Sequence, residues 1–166
     1  MFNSEIVFDE ELVKSWLNNR YFYSELLFRK TKDGSKPKDF HNKCDNKGIT
    51  ITFIETTKGY KFGGYTEHQW DDKSGHLKDK STFLFSFNNK EKYTARNNNY
   101  TIYCGSSYGP WFGSNSHPEI YMISSLNQGR SYDDSSYNTF VLGRKLTNGE
   151  EYWDVKELEV HKITYL

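Results

Sequence analysis

The stretch from Asp39 to Tyr65, DFHNKCDNKGITITFIETTKGYKFGGY, decides how the rest of the chain is read. Pro37 just upstream suits the first position of a helix capped by Ser35 or Lys36, because its missing N–H has no helical partner to lose there. That helix runs to about Cys44 and sets Phe40 and Cys44 one turn apart on its buried side. Asp45-Asn46-Lys47-Gly48 stops it, since Asn and Gly tolerate the left-handed backbone of a helix end. From Ile49 to Ile54 the residues alternate, with Ile49, Ile51 and Phe53 on one face and Thr50 and Thr52 on the other, which predicts a strand. Thr57-Lys58-Gly59 turns the chain and Tyr60 to Tyr65 returns as a hairpin partner. The Gly63-Gly64 pair inside that partner marks a bulge or a place where another backbone comes close.

Upstream, Asp9 caps a helix whose first turn carries Glu10 and Glu11 and whose apolar stripe is Leu12, Val13, Trp16 and Leu17. Negative charge in a first turn suits the helix dipole, and Phe8 is placed to staple against Val13. The helix ends near Asn18-Asn19 and is followed by a strand from Tyr21 to Arg29 and a turn at Asp33-Gly34-Ser35. Downstream, strands are predicted at Thr82–Phe87, with Phe83, Phe85 and Phe87 on one face, then at Lys92–Ala95 and Tyr100–Cys104 around an Asn97-Asn98-Asn99 turn. Further strands fall at Glu119–Ser124 and Thr139–Leu142. After an Asn148-Gly149 turn comes a final strand, Trp153–Tyr165, with Leu158 and Val160 inward and Glu157, Glu159 and His161 on the opposite face. Three stretches read as loops: the polar His68–Lys80 around Trp70, the glycine and aromatic run Gly105–Gly113, and Asn127–Asn138 with Asp133-Asp134.

These patterns predict a single domain over residues 1–166, mostly β with a few helices. Composition agrees, with an aromatic share of 17% that includes 13 Tyr and 12 Phe, residues that favour a pleated, half-buried surface. Lys plus Arg is 22 and Asp plus Glu is 22, a net charge of zero that argues against a nucleic-acid binder, which needs a basic footprint. Cys44 and Cys104 form no C-x-x-C pair and read as reduced thiols, and the first residues lack the pattern of a secretory signal. No apolar run reaches the ~20 residues of a membrane span, so a cytoplasmic protein is expected.

Few constellations carry chemistry. His41 and Cys44 have the spacing of half a zinc site, but His68, His76, His117, His161 and Asp45 supply no second local pair, so no metal is assigned. Asp71, Asp72 and Asp79 lack the spacing of a calcium loop. Glu157 and Glu159 could do acid/base work as a carboxylate pair, although a solvated strand face is the plainer reading. With Cys44 they are the catalytic candidates, direct antioxidant chemistry by these carboxylates or by the Cys44 or Cys104 thiol being the alternative function, and no enzyme class or cofactor follows from spacing alone. A helix C-terminal position is the wrong pole of the dipole for activating the Cys44 thiol. A β-rich domain with Tyr, Trp, Asn and Asp on its loops also matches a glycan- or calcium-binding sandwich in composition.

The ordered segments LLFRKTKDGS (26–35), FHNKCDNKGITIT (40–52), FGGYT (62–66), FLFSF (83–87), IYCGSSYGPWFG (102–113), HPEIYM (117–122) and ELEV (157–160) resemble the successive signatures of the TLDc domain. The resemblance covers nearly the whole chain, from about Ser4 onward, and is closest to protist-type members. It implies an antiparallel two-sheet β-sandwich flanked by helices. It also implies a eukaryotic cytoplasmic protein of oxidative-stress resistance that regulates the vacuolar proton-pumping ATPase by binding its cytosolic sector, with recruitment to endolysosomal or vacuolar membranes. On this reading partner contact falls on Tyr108, Trp111 and His117 of the loops and on Glu157 and Glu159 of the last strand. The chain departs from the family pattern where the glycine run after Phe112-Gly113 is reduced to Ser114-Asn115-Ser116, in His117-Pro118-Glu119, and at His161.

Overall fold

A computed structural model describes residues 2–96, 99–133, 139–140 and 144–166. The predicted Asn97-Asn98-Asn99 turn, Asp134 and the Val141-Leu142 half of the predicted Thr139–Leu142 strand lie outside the described residues, wholly or in part. The elements in chain order are α1 (Glu10–Trp16), β1 (Phe22–Arg29), α2 (Lys30–Asp33), α3 (Pro37–Cys44), β2 (Thr50–Thr56), β3 (Lys61–Thr66), β4 (Gly75–Leu77) and β5 (Phe83–Ser86). They continue with β6 (Glu91–Thr94), β7 (Ile102–Cys104), β8 (Trp111–Gly113), β9 (Pro118–Ile120), β10 (Gln128–Arg130), a 3-10 turn at Lys145–Thr147 and β11 (Tyr152–Tyr165).

The strands make two antiparallel sheets, a large one ordered β1-β11-β2-β3-β5-β6 with β10 also on β11, and a small one ordered β4-β7-β8-β9. The last strand is therefore the spine of the large sheet, paired with β1, β2 and β10. A register shift between Val155 and Glu157 changes its parity. Trp153 and Val155 before the shift and Leu158 and Val160 after it thereby face the same core.

Both faces of the large sheet are covered. Between the sheets lie Phe28, Ile54, Phe62, Leu84, Ile102, Phe112, Ile120 and Leu158, with Phe40 and Cys44 brought in by α3. On the outer face Ile51, Phe53, Phe83, Phe85 and Ile163 pack under α1 through Val13, Trp16 and Leu17 and under the N-terminal Phe2 and Ile6. The two-sided burial explains why the Thr50 and Thr52 face of β2 is as buried as the Ile51 and Phe53 face.

Caps and glycines act much as their chemistry dictates. The Asp9 carboxylate accepts the Glu11 N–H at 2.9 Å at the start of α1, and the Asp39 carboxylate accepts the Lys36 N–H at 3.0 Å at the start of α3. At Gly63 the close neighbour is the Thr52 carbonyl of β2, 1.8 Å from where a Cβ would stand, while at Gly64 it is the ring of Phe112 from the small sheet, at 2.6 Å. Gly64 is thus the notch that lets the two sheets close on each other. Gly64→Ala is expected to cost about 1–3 kcal/mol by overpacking, read as a lower denaturation midpoint with an unchanged m-value.

The structure corrects several readings. The His68–Lys80 loop contains β4, which pairs with β7 of the small sheet, and its Trp70 is fully buried between the sheets, with its ring 5.4 Å from Phe112 of β8 and its indole N–H donated to the Thr50 hydroxyl of β2 at 3.0 Å. The Gly105–Gly113 run ends in β8 and the Asn127–Asn138 run begins with β10. The Lys30–Asp33 stretch is a helical turn, stopped by Gly34 at φ +121°. The Glu119–Ser124 strand is shortened to Pro118–Ile120. Thr139 and Phe140 are in a bend.

Candidate interaction surface

The small sheet turns its two faces to different work. Ile102, Cys104, Phe112 and Ile120 point into the core, while Tyr103 and Trp111, one position away on β7 and β8, stand on the outer face. There they begin a continuous strip of rings. His76 of β4 lies 4.5 Å from Tyr103, Tyr103 lies 5.0 Å from Trp111, and Trp111 lies 5.0 Å from Tyr121. Tyr108 sets its ring edge-on to both Tyr103 and Trp111, at 5.1 and 5.0 Å. Beyond Tyr121, Tyr132 stacks at 5.9 Å and His117 meets Tyr132 at 5.1 Å. Trp111 and Tyr121 are buried at the centre, whereas Tyr103, Tyr108, His117 and Tyr132 are half-buried around them. Rings in these offset and edge-on arrangements form a rigid apolar platform with polar rims, a kind of surface enriched where proteins meet.

The strip ends in a cavity of about 150 Å³ lined by Tyr121, Ile123, Ser125, Gln128, Arg130 and Tyr152. The Arg130 guanidinium lies over the Tyr132 ring at 4.2 Å and near Tyr152 at 4.9 Å, and donates from Nε to Glu151 at 3.0 Å. Ile123 and Tyr152 are among the more exposed large apolar side chains of the described residues.

The bend that presents Tyr108 is fastened from below by His41. Its Nδ1 meets the Asp45 carboxylate at 2.7 Å, and its Nε2 meets the carbonyls of Gly105 and Tyr108, each at 2.9 Å. The Gly109 N–H to Met122 O and the Ser124 N–H to Ser107 O bonds close the other side. His41 therefore serves as a pin between α3 and the aromatic bend, and Cys44 one turn on points into the core. His41→Ala is expected to cost about 1–3 kcal/mol, because oxygen acceptors are left without donors. The Gly109 and Ser124 amides should then exchange faster while those of β2 do not.

The carboxylate pair of β11 faces inward. Glu159 is fully buried and accepts from the Ser4 hydroxyl at 2.5 Å, the Glu5 N–H at 2.9 Å and Arg29 Nε at 2.9 Å, with His161 Nε2 at 3.2 Å. Burial by itself would raise its pKa, but the bonds from His161, Ser4, Glu5 and Arg29 outweigh it and hold the carboxyl at about 2. Glu157, 6% exposed, takes the Thr31 N–H at 3.2 Å and the Thr31 hydroxyl at 2.5 Å, so it caps α2. A solvated strand face is therefore not what β11 presents. The N-terminal segment and α2 cover it, and each takes one carboxylate as its anchor.

The thiols are equally committed to the interior. Burial, with the nearby Asp45 charge, pushes the Cys44 thiol well up, and burial pushes Cys104 to about 12. Both states suppress the thiolate that nucleophilic or redox chemistry would use. Asp71 accepts the Lys73 and Ser74 amides, and Asp79 accepts the Thr66 hydroxyl and the Glu67 and His68 amides, so these carboxylates staple loops. Among the described residues no three His, Cys, Asp or Glu side chains gather in a way that could hold a metal ion. His68 turns to the Gln69 carbonyl, and His41 and Cys44 are used apart.

Of the residues singled out in the sequence, Tyr108, Trp111 and His117 come together on one strip, and Glu157 and Glu159 lie elsewhere, beneath other elements. Tyr103, Tyr121 and Tyr132 belong to the same strip. The available signal for Tyr103 was the alternation Ile102-Tyr103-Cys104, in which an aromatic between two core residues must face outward.

A sandwich with a notch at Gly64, a pinned aromatic bend and an E-x-E strand under the N-terminal segment defines a two-sheet antiparallel β-sandwich with few helices. The TLDc domain family matches residues 4–164, and the chain belongs to that family, whose domains are of the protein-interaction kind. A curated relative, the MTOR-associated protein MEAK7 of Danio rerio, is 33% identical over 61 residues, which is 37% of this chain and 14% of the relative. The matched region thus spans a small part of that relative's length. Among the described residues no helix is long and apolar enough to cross a membrane.

Proposed function

We propose that this TLDc domain is a non-enzymatic interaction module that binds the cytosolic sector of the vacuolar proton-pumping ATPase and so contributes to oxidative-stress resistance. In this reading it works in the cytoplasm and reaches endolysosomal or vacuolar membranes through its partner. The observation that carries the reading is the aromatic strip on the outer face of the small sheet, where Tyr108, Trp111 and His117 converge. Buried thiols and internally bonded carboxylates favour binding over chemistry. Glu157 and Glu159 contribute by holding α2 and the N-terminal segment in place.

The test is capture of the purified sector by the domain, comparing wild type with Tyr108→Ala and His117→Ala. Wild-type binding in the micromolar range, weakened at least about tenfold by either rim substitution, is the expected result. Absence of wild-type binding, or equal binding by all three proteins, contradicts the proposal.

A further inference from the structure

Residues 2–8, Phe-Asn-Ser-Glu-Ile-Val-Phe, cross the outer face of the large sheet without joining it as a strand. Their side chains alternate: Phe2 and Ile6 are buried and Ser4 and Phe8 half-buried, whereas Asn3, Glu5 and Val7 face solvent. The segment arches so that Phe2 and Phe8 approach to 5.8 Å and both meet Phe53, at 5.2 and 4.5 Å. At the crown, the Ser4 hydroxyl accepts the Ile6 N–H at 3.0 Å and donates to Glu159, and the Glu5 N–H donates to the second Glu159 oxygen. Arg29 donates to the Asn3 carbonyl at 2.9 Å and stands 3.9 Å from the Glu5 carboxylate.

The floor under this arch differs from that of an ordinary core. It carries Glu159 and His161 fully buried and Arg29 largely so, and among the described residues His161 Nδ1 has no hydrogen-bond partner. Well-packed apolar residues would serve a permanent core at least as well as buried charges. A charged floor with spare hydrogen-bonding capacity is instead suited to reading a ligand. The floor strands β1, β11 and β2 are hydrogen-bonded to one another independently of the arch, so the groove persists when the arch leaves.

We propose that residues 2–8 are an exchangeable occupant of a peptide-docking groove, which takes from a partner protein a segment of the same chemistry. That segment has an aromatic residue, a Ser or Thr two positions later that turns the chain and bonds Glu159, an acidic residue facing Arg29, and an aliphatic residue next. Glu5 opposite Arg29 supplies the charge complementarity, and the seated arch shows how the aromatic and hydroxyl groups are read. While tethered, the arch competes at high effective concentration and keeps the groove closed to weak ligands.

The test uses the full chain and a fluorescent peptide, FNSEIVF, followed by anisotropy. Ser4→Ala in the chain loosens the tethered arch and is expected to tighten peptide binding about tenfold, the worth of one charge-assisted hydrogen bond. A peptide with Ala in place of its Ser should bind that variant about tenfold more weakly than FNSEIVF. In the wild-type chain the Glu5 amide should exchange by local opening, faster than the core amides of β2. Failure of the folded Ser4→Ala chain to bind the peptide at millimolar concentration overturns the proposal. Exchange of the Glu5 amide only at the rate of global unfolding does so as well, since the arch is then a fixed part of the core.

Discussion

Glu159→Ala is expected to destabilise the domain by about 3–5 kcal/mol, the usual cost of removing one partner from a buried ion pair. The substitution leaves the largely buried Arg29 without its carboxylate and frees the Ser4 hydroxyl and the Glu5 amide together. Loss should be concentrated on the outer face, so the near-ultraviolet signal of the Phe2, Phe53 and Trp16 cluster changes more than that of Trp70 between the sheets. Because the folded carboxyl sits at about 2, below its ordinary 4.5, its contribution is fully present above about pH 4.5. That contribution is lost as the pH falls through 2. Wild type and variant should therefore converge in stability in strong acid, which denaturant titrations at pH 6, 4 and 2.5 would show.

The second large effect has the opposite sign. Glu119 of β9 is fully buried, accepts the Phe140 N–H at 2.8 Å through one oxygen, and leaves the other without a partner among the described residues. Burial pushes its carboxyl up to about 8 against the opposing pull of the Phe140, Glu119 and Thr139 amides and of Arg96. A raised carboxyl is protonated in the fold, so its stabilising contribution is complete below about pH 4.5 and is lost as pH rises through 8. With each tenfold change in proton affinity worth about 1.4 kcal/mol, the loss amounts to at most about 5 kcal/mol by pH 9. Glu119→Gln mimics the neutral form and should match wild type near pH 5 while exceeding its stability by a few kcal/mol at pH 9. A variant that tracks wild type over that whole range would show that Glu119 is ionised in the fold.

Together the two carboxylates bound the stability window, one from the acid side and one from the alkaline side. They also show where sequence reasoning reaches and where it stops. Strands such as Ile49–Ile54, Thr82–Phe87 and Trp153–Tyr165 were legible, because alternation reports a face directly, and so were the Asp9 cap and the Pro37 helix start. What alternation does not report is whether the second face meets water or another layer. Glu157, Glu159 and His161 read as a polar face, and they are buried because residues 2–8 and α2, distant in sequence, fold over them. Strands of three residues, such as β4, β8 and β10, are too short to show a period and are set by pairing with strands distant in sequence or by a neighbouring hairpin, β4 and β8 with β7 and β10 with β11.

The aromatic strip was legible in part for the same reason. Trp111, Tyr108 and His117 stood out by residue type within loops. Tyr121 and Tyr132 join them only once Tyr121 and Arg130 bridge across the chain, bringing β9 and β10 together. His41 and Cys44 show the reverse case, a suggestive spacing that the fold divides between two jobs, a pin for the bend and a core thiol.

The outer face of the small sheet is proposed as the surface through which this domain meets its partner. Hydrogen-exchange mass spectrometry of the domain, alone and mixed with the cytosolic sector of the proton pump, tests this most directly. Protection on binding is predicted in residues 103–113 and 117–132, with the Tyr108→Ala variant losing it. Protection confined to α1 and the β1 edge, with the small sheet unchanged, would contradict it.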